Sequence, residues 1–480
     1  MAHIIDALIT LSEKQGDTIL FADKNQSCTV KEALQSAYRI SAYLQDKKIE
    51  NQAIFVSVSR TIETPLLFFG IAASGNYYVP VLSDTPKEKL EKMVSATHGG
   101  YLFEAEPLLE KGNLLPSLSK EEALAYPKSE PVLKKSDNHA LYLVFTSGST
   151  GTPKGVLKSH DAMLRFMENF TLTFPFLKEE RIANQTPFSF DASAKDIYLS
   201  IQLGATLFIP ERSVFALPGE TLKYLKSQKI TMLIWVPSAL SMISKVKALN
   251  FETLPDLRYV FFVGEAFPAK YLNYWIEKLP DVRYFNIYGS SEVAGVSLYH
   301  EIKGPQPLDK PIPTGKGLAN NHVSLLDGEI LIQSEQVALG YINDEEKDRR
   351  TFDRSTKPTT LHTGDYAVYN EEGDIVFETR KDFQIKHLGY RIELQEIEVA
   401  ALSLPYIENC CCLYDNERDK IVMVLVSNQS EENWKKPLLD DLGRKVASYM
   451  LPNKLVRLDK MPLNPNGKID RVKIKKEVLS

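Results

Sequence analysis

Phe145-Thr146-Ser147-Gly148-Ser149-Thr150-Gly151-Thr152-Pro153-Lys154-Gly155 is the stretch on which the reading of this chain turns. It follows Leu141 to Phe145, a short and continuously apolar run of the kind expected of an interior strand. It precedes a helix expected to begin near Asp161. Its three glycines open backbone conformations closed to other residues, so successive N–H groups can face one anion. Hydroxyls and one lysine add donors suited to a polyphosphate. The stretch is not a Walker A loop, G-x-x-x-x-G-K-[ST], because Lys154 precedes its glycine and Pro153 interrupts the run.

Outward from this loop, strands alternate with helical stretches, which predicts an α/β fold. Ala53–Val58 reads as a buried strand, Thr64–Ala73 as an apolar helix and Tyr77–Val81 as the next strand. Thr85-Pro86-Lys87-Glu88 opens a further helix, with proline at an early position. Met232–Val236, Tyr259–Val263 and Glu329–Ile332 read as interior strands, and residues 105–138 as a polar surface excursion. A charged step at Arg380-Lys381-Asp382 follows the strand Asp374–Glu378 and is the expected domain boundary.

The 480 residues are 44% hydrophobic and 25% charged, ordinary globular usage that excludes a disordered or disulfide-scaffold chain. A net charge of −5 gives no global reason to bind nucleic acid or an anionic membrane. The N-terminus lacks a signal-peptide pattern and no apolar run is long enough to span a bilayer, so a cytoplasmic location is expected. Cys410, Cys411 and Cys412 are consecutive in an apolar stretch. In a strand they would point to alternate faces, which suits neither a metal site nor a disulfide. The eight histidines include no pair within five residues, so a zincin-type helix is absent.

The glycine-rich string resembles the corresponding loop of the adenylate-forming superfamily: acyl-CoA synthetases, luciferases and the adenylation domains of nonribosomal peptide synthetases. The family's other motifs follow in order. Asn286-Ile287-Tyr288-Gly289-Ser290-Ser291-Glu292 resembles the aromatic–Gly–x–Thr/Ser–Glu segment, and His362-Thr363-Gly364-Asp365 the T-G-D motif. Arg380–Lys386 with Gly389-Tyr390-Arg391-Ile392-Glu393 resembles the hinge and its following loop, and Pro465–Arg471 the C-terminal lysine motif. The fold this implies is a large α/β N-terminal domain, residues 1–381, and a small mobile α+β C-terminal domain, residues 382–480.

The resemblance also implies roles. Thr146, Ser147, Gly148, Ser149, Thr150, Gly151 and Lys154 would hold the leaving phosphates of ATP. Glu292, with Thr146, would hold Mg²⁺, a hard cation that prefers oxygen ligands. Tyr288 would stack on adenine, edged by Asn286, Ile287 and the backbone of Gly264-Glu265-Ala266, with Gly289, Ser290 and Ser291 completing the nucleotide site. Asp365 would accept the ribose hydroxyls, supported by Arg380. Lys468 would bridge the substrate carboxylate and the α-phosphate, countering charge that builds in the transition state. Asp382 would be the hinge between the two half-reactions.

Phe188-Ser189-Phe190-Asp191-Ala192-Ser193 resembles the F-D-x-S motif of amino-acid-activating members, in which the aspartate pairs with the substrate α-ammonium. The hinge region is similar to that of D-alanine–carrier protein ligases, although Val263 stands where those enzymes carry cysteine and Lys195 where they carry an apolar residue. Aligned pocket positions are Asp191, Lys195, Ile234, Phe261, Val263, Ile287, Gly295 and Val296. Two readings of Lys195 stay open: it faces an acidic substrate side chain, or it turns away and pairs with Asp196 in a pocket for a small apolar amino acid. The implied activity is ATP-dependent amino acid adenylation followed by transfer to a separate phosphopantetheinylated carrier protein, with no carrier domain fused. An acyl- or aryl-CoA ligase and a non-catalytic nucleotide-binding relative are the alternatives.

Overall fold

Continuously apolar strands build the centre. In the computed structural model, which describes residues 3–109, 113–127, 133–135, 139–146, 154–308, 310–380, 384–428, 434–462 and 469–479, two large sheets carry the core. One has seven strands, with Ala140–Thr146 paired to Tyr77–Val81 on one side and to Lys154–Ser159 on the other. The other has nine. Its inner strands Arg181–Ala183, Met232–Trp235, Tyr259–Val263 and Arg283–Tyr288 run parallel, and Leu298–Ile302 returns antiparallel. Strands buried on both faces need no polar alternation, which is why their sequences read as unbroken apolar runs.

Helices cover these sheets. Asp191–Leu203 is buried along most of its length and ends at Gly204, whose φ of +60° gives the left-handed cap that stops the helix. His160–Thr173 starts from Ser159, whose hydroxyl accepts the Ala162 N–H at 3.1 Å. Its face packs Phe166 and Phe170 into the same core as Phe261 and Phe285. A third, five-stranded sheet contains Thr360–Tyr369, whose alternating burial marks a one-sided sheet, and Ile375–Arg380 beside it. The strand expected over Asp374–Glu378 therefore runs on to Arg380, opposite Asp365.

The tail has its own core. The strands Ile407–Asp415, Lys420–Ser427 and Lys454–Arg457 form a sheet with the helices Leu394–Leu402 and Lys435–Gly443 packed against it. Cys410 and Cys412 face that helical side, whereas Cys411 joins a second cluster with Met461 and Ile474. All four cysteines are buried and free. This is the alternation expected of strand residues. The α/β layers with a smaller α+β unit match the fold class read from the sequence.

Candidate active site

The parallel strands of the nine-stranded sheet end together, and their carboxyl ends carry the motifs. Trp235 is followed by Val236, Val263 by Gly264-Glu265-Ala266, and Tyr288 by Gly289-Ser290-Ser291-Glu292. Ligands of open α/β sheets bind at such ends. Gly264 has a φ of +100°, a backbone state that favours glycine. At Gly289 a Cβ would meet the Gly295 carbonyl oxygen at 2.6 Å, so the chain passes too closely there for any side chain.

Tyr288 and Asp365, expected at the adenine and the ribose, do meet. The Tyr288 hydroxyl donates to Asp365 Oδ2, and the Asp365 N–H donates to Thr363 Oγ1 at 3.1 Å. The Asn286 amide nitrogen donates to the Pro313 carbonyl at 2.7 Å, which fixes it on the neighbouring loop. Ser189 Oγ and Ser290 Oγ are buried without a hydrogen-bond partner. Such orphaned hydroxyls beside the strand ends suit a polar ligand.

The hairpin Gln384–His387 and Tyr390–Glu393 is seated on this centre. The Gly389 N–H donates to Glu265 Oε1 at 2.5 Å, and Lys386 Nζ lies 5.4 Å from the centre of the Tyr288 ring. Arg391 Nη1 donates to Glu292 Oε2 at 2.7 Å, and the Tyr341 hydroxyl donates to Glu292 Oε1 at 2.7 Å. Both oxygens of the candidate metal ligand are thereby engaged. Burial opposes the Arg391 charge, but the Glu292 carboxylate outweighs it and holds the guanidinium protonated. Lys154 is buried at the start of its strand, with Nζ 3.7 Å from Glu393 Oε1. Burial, reinforced by Lys154, pushes the nearby Lys347 ammonium down to about 8.

A cavity of about 90 Å³ lies between the two units, and Thr146, Ser189, Asp191, Ser291 and Arg391 are on its wall. Asp191 thus reaches the site, but with a cation already attached. Lys158 Nζ lies 2.9 Å from each Asp191 oxygen and 2.8 Å from the Val293 carbonyl, and the Tyr142 hydroxyl donates to Asp191 Oδ1 at 2.8 Å. Sequence reasoning missed Lys158. Its one signal was a lysine between Leu157 and Ser159 in a short stretch entering a helix, where an exposed side chain is the ordinary expectation.

The other pocket expectations fare differently. Lys195 is buried, and its Nζ is held by the Ala192 carbonyl at 2.5 Å and by Asp196 Oδ1 at 3.6 Å. Within its own helix the ammonium already has partners, which is the arrangement of the second reading, in which Lys195 pairs with Asp196. Ile234, Phe261, Val263, Ile287 and Val296 come together as closed core, each under a tenth exposed. Phe166 sits against Gly295, where a Cβ would lie 2.3 Å from its ring. Ser147, Gly148, Ser149, Thr150, Gly151, Asp382 and Lys468 lie outside the described residues, as does the side chain of Arg380.

Comparison with known proteins matches residues 10–342 to the family described as "AMP-binding enzyme", and residues 396–468 to "AMP-binding enzyme C-terminal domain". The D-alanine–D-alanyl carrier protein ligase of Bacillus licheniformis is 28% identical over 500 residues, covering 99% of each chain. Its namesake from Lacticaseibacillus paracasei is 28% identical over 514 residues, again covering 99% of each. Among solved structures, the adenylation domain AlmE of Vibrio cholerae with glycyl-adenosine-5'-phosphate superposes with a TM-score of 0.82 at 18% identity, covering 99% of this chain and 97% of that one. The amide bond synthetase McbA from Marinactinospora thermotolerans gives 0.86 at 18% identity, covering 98% and 99%. These two likenesses speak to the fold. No helix among the described residues is long and apolar enough to cross a membrane.

Proposed function

The chain belongs to the AMP-binding enzyme family, and from that premise we propose an ATP-dependent, AMP-forming ligase that activates an amino acid and delivers it to a separate phosphopantetheinylated carrier protein. The observation that carries this reading is the meeting, at the ends of parallel strands, of the Tyr288–Asp365 pair, Glu292 and a tail hairpin seated on them. Full-length likeness to ligases named for carrier proteins supports the choice of acceptor.

In the first half-reaction a substrate carboxylate oxygen attacks the α-phosphorus of ATP. The new P–O bond forms as the bond to the β-phosphate bridge breaks, and pyrophosphate departs. The protein's work is positioning and charge neutralisation. Thr146 to Lys154 hold the leaving phosphates, Tyr288 and Asn286 frame the adenine, and Asp365 with Arg380 holds the ribose. Lys468 bridges the reacting oxygens. Magnesium, when bound, supplies charge neutralisation on the phosphates, with Glu292 and the Thr146 hydroxyl as its protein ligands. One carboxylate plus phosphate oxygens is a usual set for this ion, so the residues fit.

That fit has a condition. Glu292 engages Arg391 in the docked arrangement, so the hairpin must withdraw before the carboxylate can serve a cation. The docked state suits the second half-reaction, in which the carrier thiol attacks the acyl carbon and AMP leaves with the electron pair of the broken C–O bond. We take residues 1–381 and 382–480 as the units that move, with Asp382 as hinge. Pyrophosphate exchange driven by amino acids tests the assignment. Lys468→Ala is expected to lower exchange by about 10²–10³, the usual loss of one preorganised electrostatic contact. Unchanged exchange in that variant overturns the role of Lys468. A wild-type protein that supports no exchange with any carboxylic acid overturns the ligase.

A further inference from the structure

The cavity between the two units has two carboxylates on its wall, Asp191 and Asp84, and they differ in what they already hold. Asp191 is neutralised from within the protein. Lys158 is wholly buried and uses all three of its N–H donors, two on the Asp191 oxygens and one on the Val293 carbonyl. Releasing Asp191 to a substrate cation would strand that ammonium without its counter-ion in the protein interior, which is strongly disfavoured. Adding a substrate ammonium to the same carboxylate would set two like charges side by side. Asp84, by contrast, is exposed to the cavity and takes only the Ser448 hydroxyl, at 3.1 Å, with no ion pair among the described residues.

We propose that Lys158 occupies the cation position on Asp191, so that the acid activated here carries its ammonium remote from the carboxylate, directed to Asp84: a β- or ω-amino acid rather than an α-amino acid. The substrate carboxylate then lies towards Thr146 and Ser291, at the nucleotide end of the same cavity. At Asp191 the substrate presents hydrogen or a neutral polar group, for which Oδ2, accepting one hydrogen bond against two on Oδ1, still offers a lone pair. The closed core at Phe261, Val263 and Val296 agrees with a substrate that has no bulky branch beside its carboxylate. This inference rests on the AMP-forming reading above and narrows its substrate class.

The test titrates the whole protein with non-hydrolysable acyl sulfamoyl-adenosines: L- and D-alanyl, β-alanyl, 4-aminobutyryl and propionyl. The better of the β-alanyl and 4-aminobutyryl compounds is expected to bind about tenfold tighter or more than either alanyl compound, from the charge pair gained at Asp84 together with the like-charge contact with Lys158 that is avoided at Asp191. Lys158→Met is expected to improve alanyl binding by about tenfold or more, because Asp191 then faces the cavity with its charge uncompensated. Asp84→Asn is expected to bring the favoured compound down to the level of the propionyl one. The wild-type ranking needs no variant to fold. An alanyl compound bound as tightly as, or within tenfold of, the best remote-amino compound overturns the proposal. So does failure of every analogue to bind; ATP binding in that case leaves the AMP-forming reading standing, and failure of ATP as well removes both.

Discussion

Arg391 and Lys195 show how much a single ion pair decides. Arg391 is a largely buried guanidinium bonded to Glu292, and it ties the tail hairpin to the nucleotide centre. Truncating one member of such a pair costs roughly 2–5 kcal/mol. Arg391→Met is therefore expected to weaken the docked arrangement while freeing Glu292. Pyrophosphate exchange should hold or rise, and loading of the carrier thiol should fall by about tenfold or more. Equal loss of both steps would contradict the proposed division of labour. Lys195 has a structural task instead. Burial raises the Asp196 carboxyl above its ordinary range, and Lys195 opposes that rise. Lys195→Met is expected to destabilise the fold by about 3–5 kcal/mol, read from chemical denaturation, without a selective loss for acidic substrates. The sequence placed Lys195 on the right helix. Asp196 was legible as a neighbouring partner, but the choice between it and the cavity depended on how the helix packs, which no one-dimensional pattern reports.

At the scale of elements, the hairpin Gln384–His387 and Tyr390–Glu393 hangs on one glycine. Gly389 has a φ of +82°, and a Cβ there would lie 2.8 Å from Val236 Cγ1. Gly389→Ala must strain the left-handed turn by about 1 kcal/mol and also push the hairpin off Val236 and Glu265. The expected outcome is a near-normal first half-reaction with transfer to the thiol slowed severely, checked by single-turnover loading of a carrier. The apolar strands were legible from the sequence because burial on both faces leaves a continuous apolar run. The strand Lys154–Ser159 was not. It pairs antiparallel with Ala140–Thr146 and comes before the helix that begins at His160. All six of its residues are buried, yet three are Lys154, Lys158 and Ser159. Their polarity hides the strand, because the partners that satisfy the two lysines, Glu393 and Asp191, lie far away in sequence.

Among the described residues, three ion pairs with largely buried side chains cross from the large unit to the tail: Lys89–Glu396 at 3.3 Å, Lys154–Glu393 at 3.7 Å and Arg391–Glu292 at 2.7 Å. The motif order made a two-unit organisation legible, but these contacts join residues that no local pattern connects. The N-terminal helix is tied in differently. His160 Nδ1 accepts the Ile4 N–H at 3.3 Å, with the His3 ring 4.3 Å away. Burial holds both imidazoles below their ordinary range, His160 strongly so. The unfolded chain therefore binds more protons below about pH 6.5, and stability must fall as pH drops through that window. Each histidine contributes at most about 1.4 kcal/mol per pH unit. His160→Gln should flatten the difference between denaturation midpoints at pH 7.5 and 5.5, and an unchanged slope would refute this linkage. The buried cysteines have a further consequence. Burial pushes the Cys28 and Cys410 thiols up to about 12 and Cys411 to about 11. A disulfide reagent needs an exposed thiolate, so the native protein is inert to it until a segment opens. One thiol reports on the large unit and three on the tail. The chain thus contains its own clock, in which the order and rate of alkylation at each sulfur read out which unit breathes first.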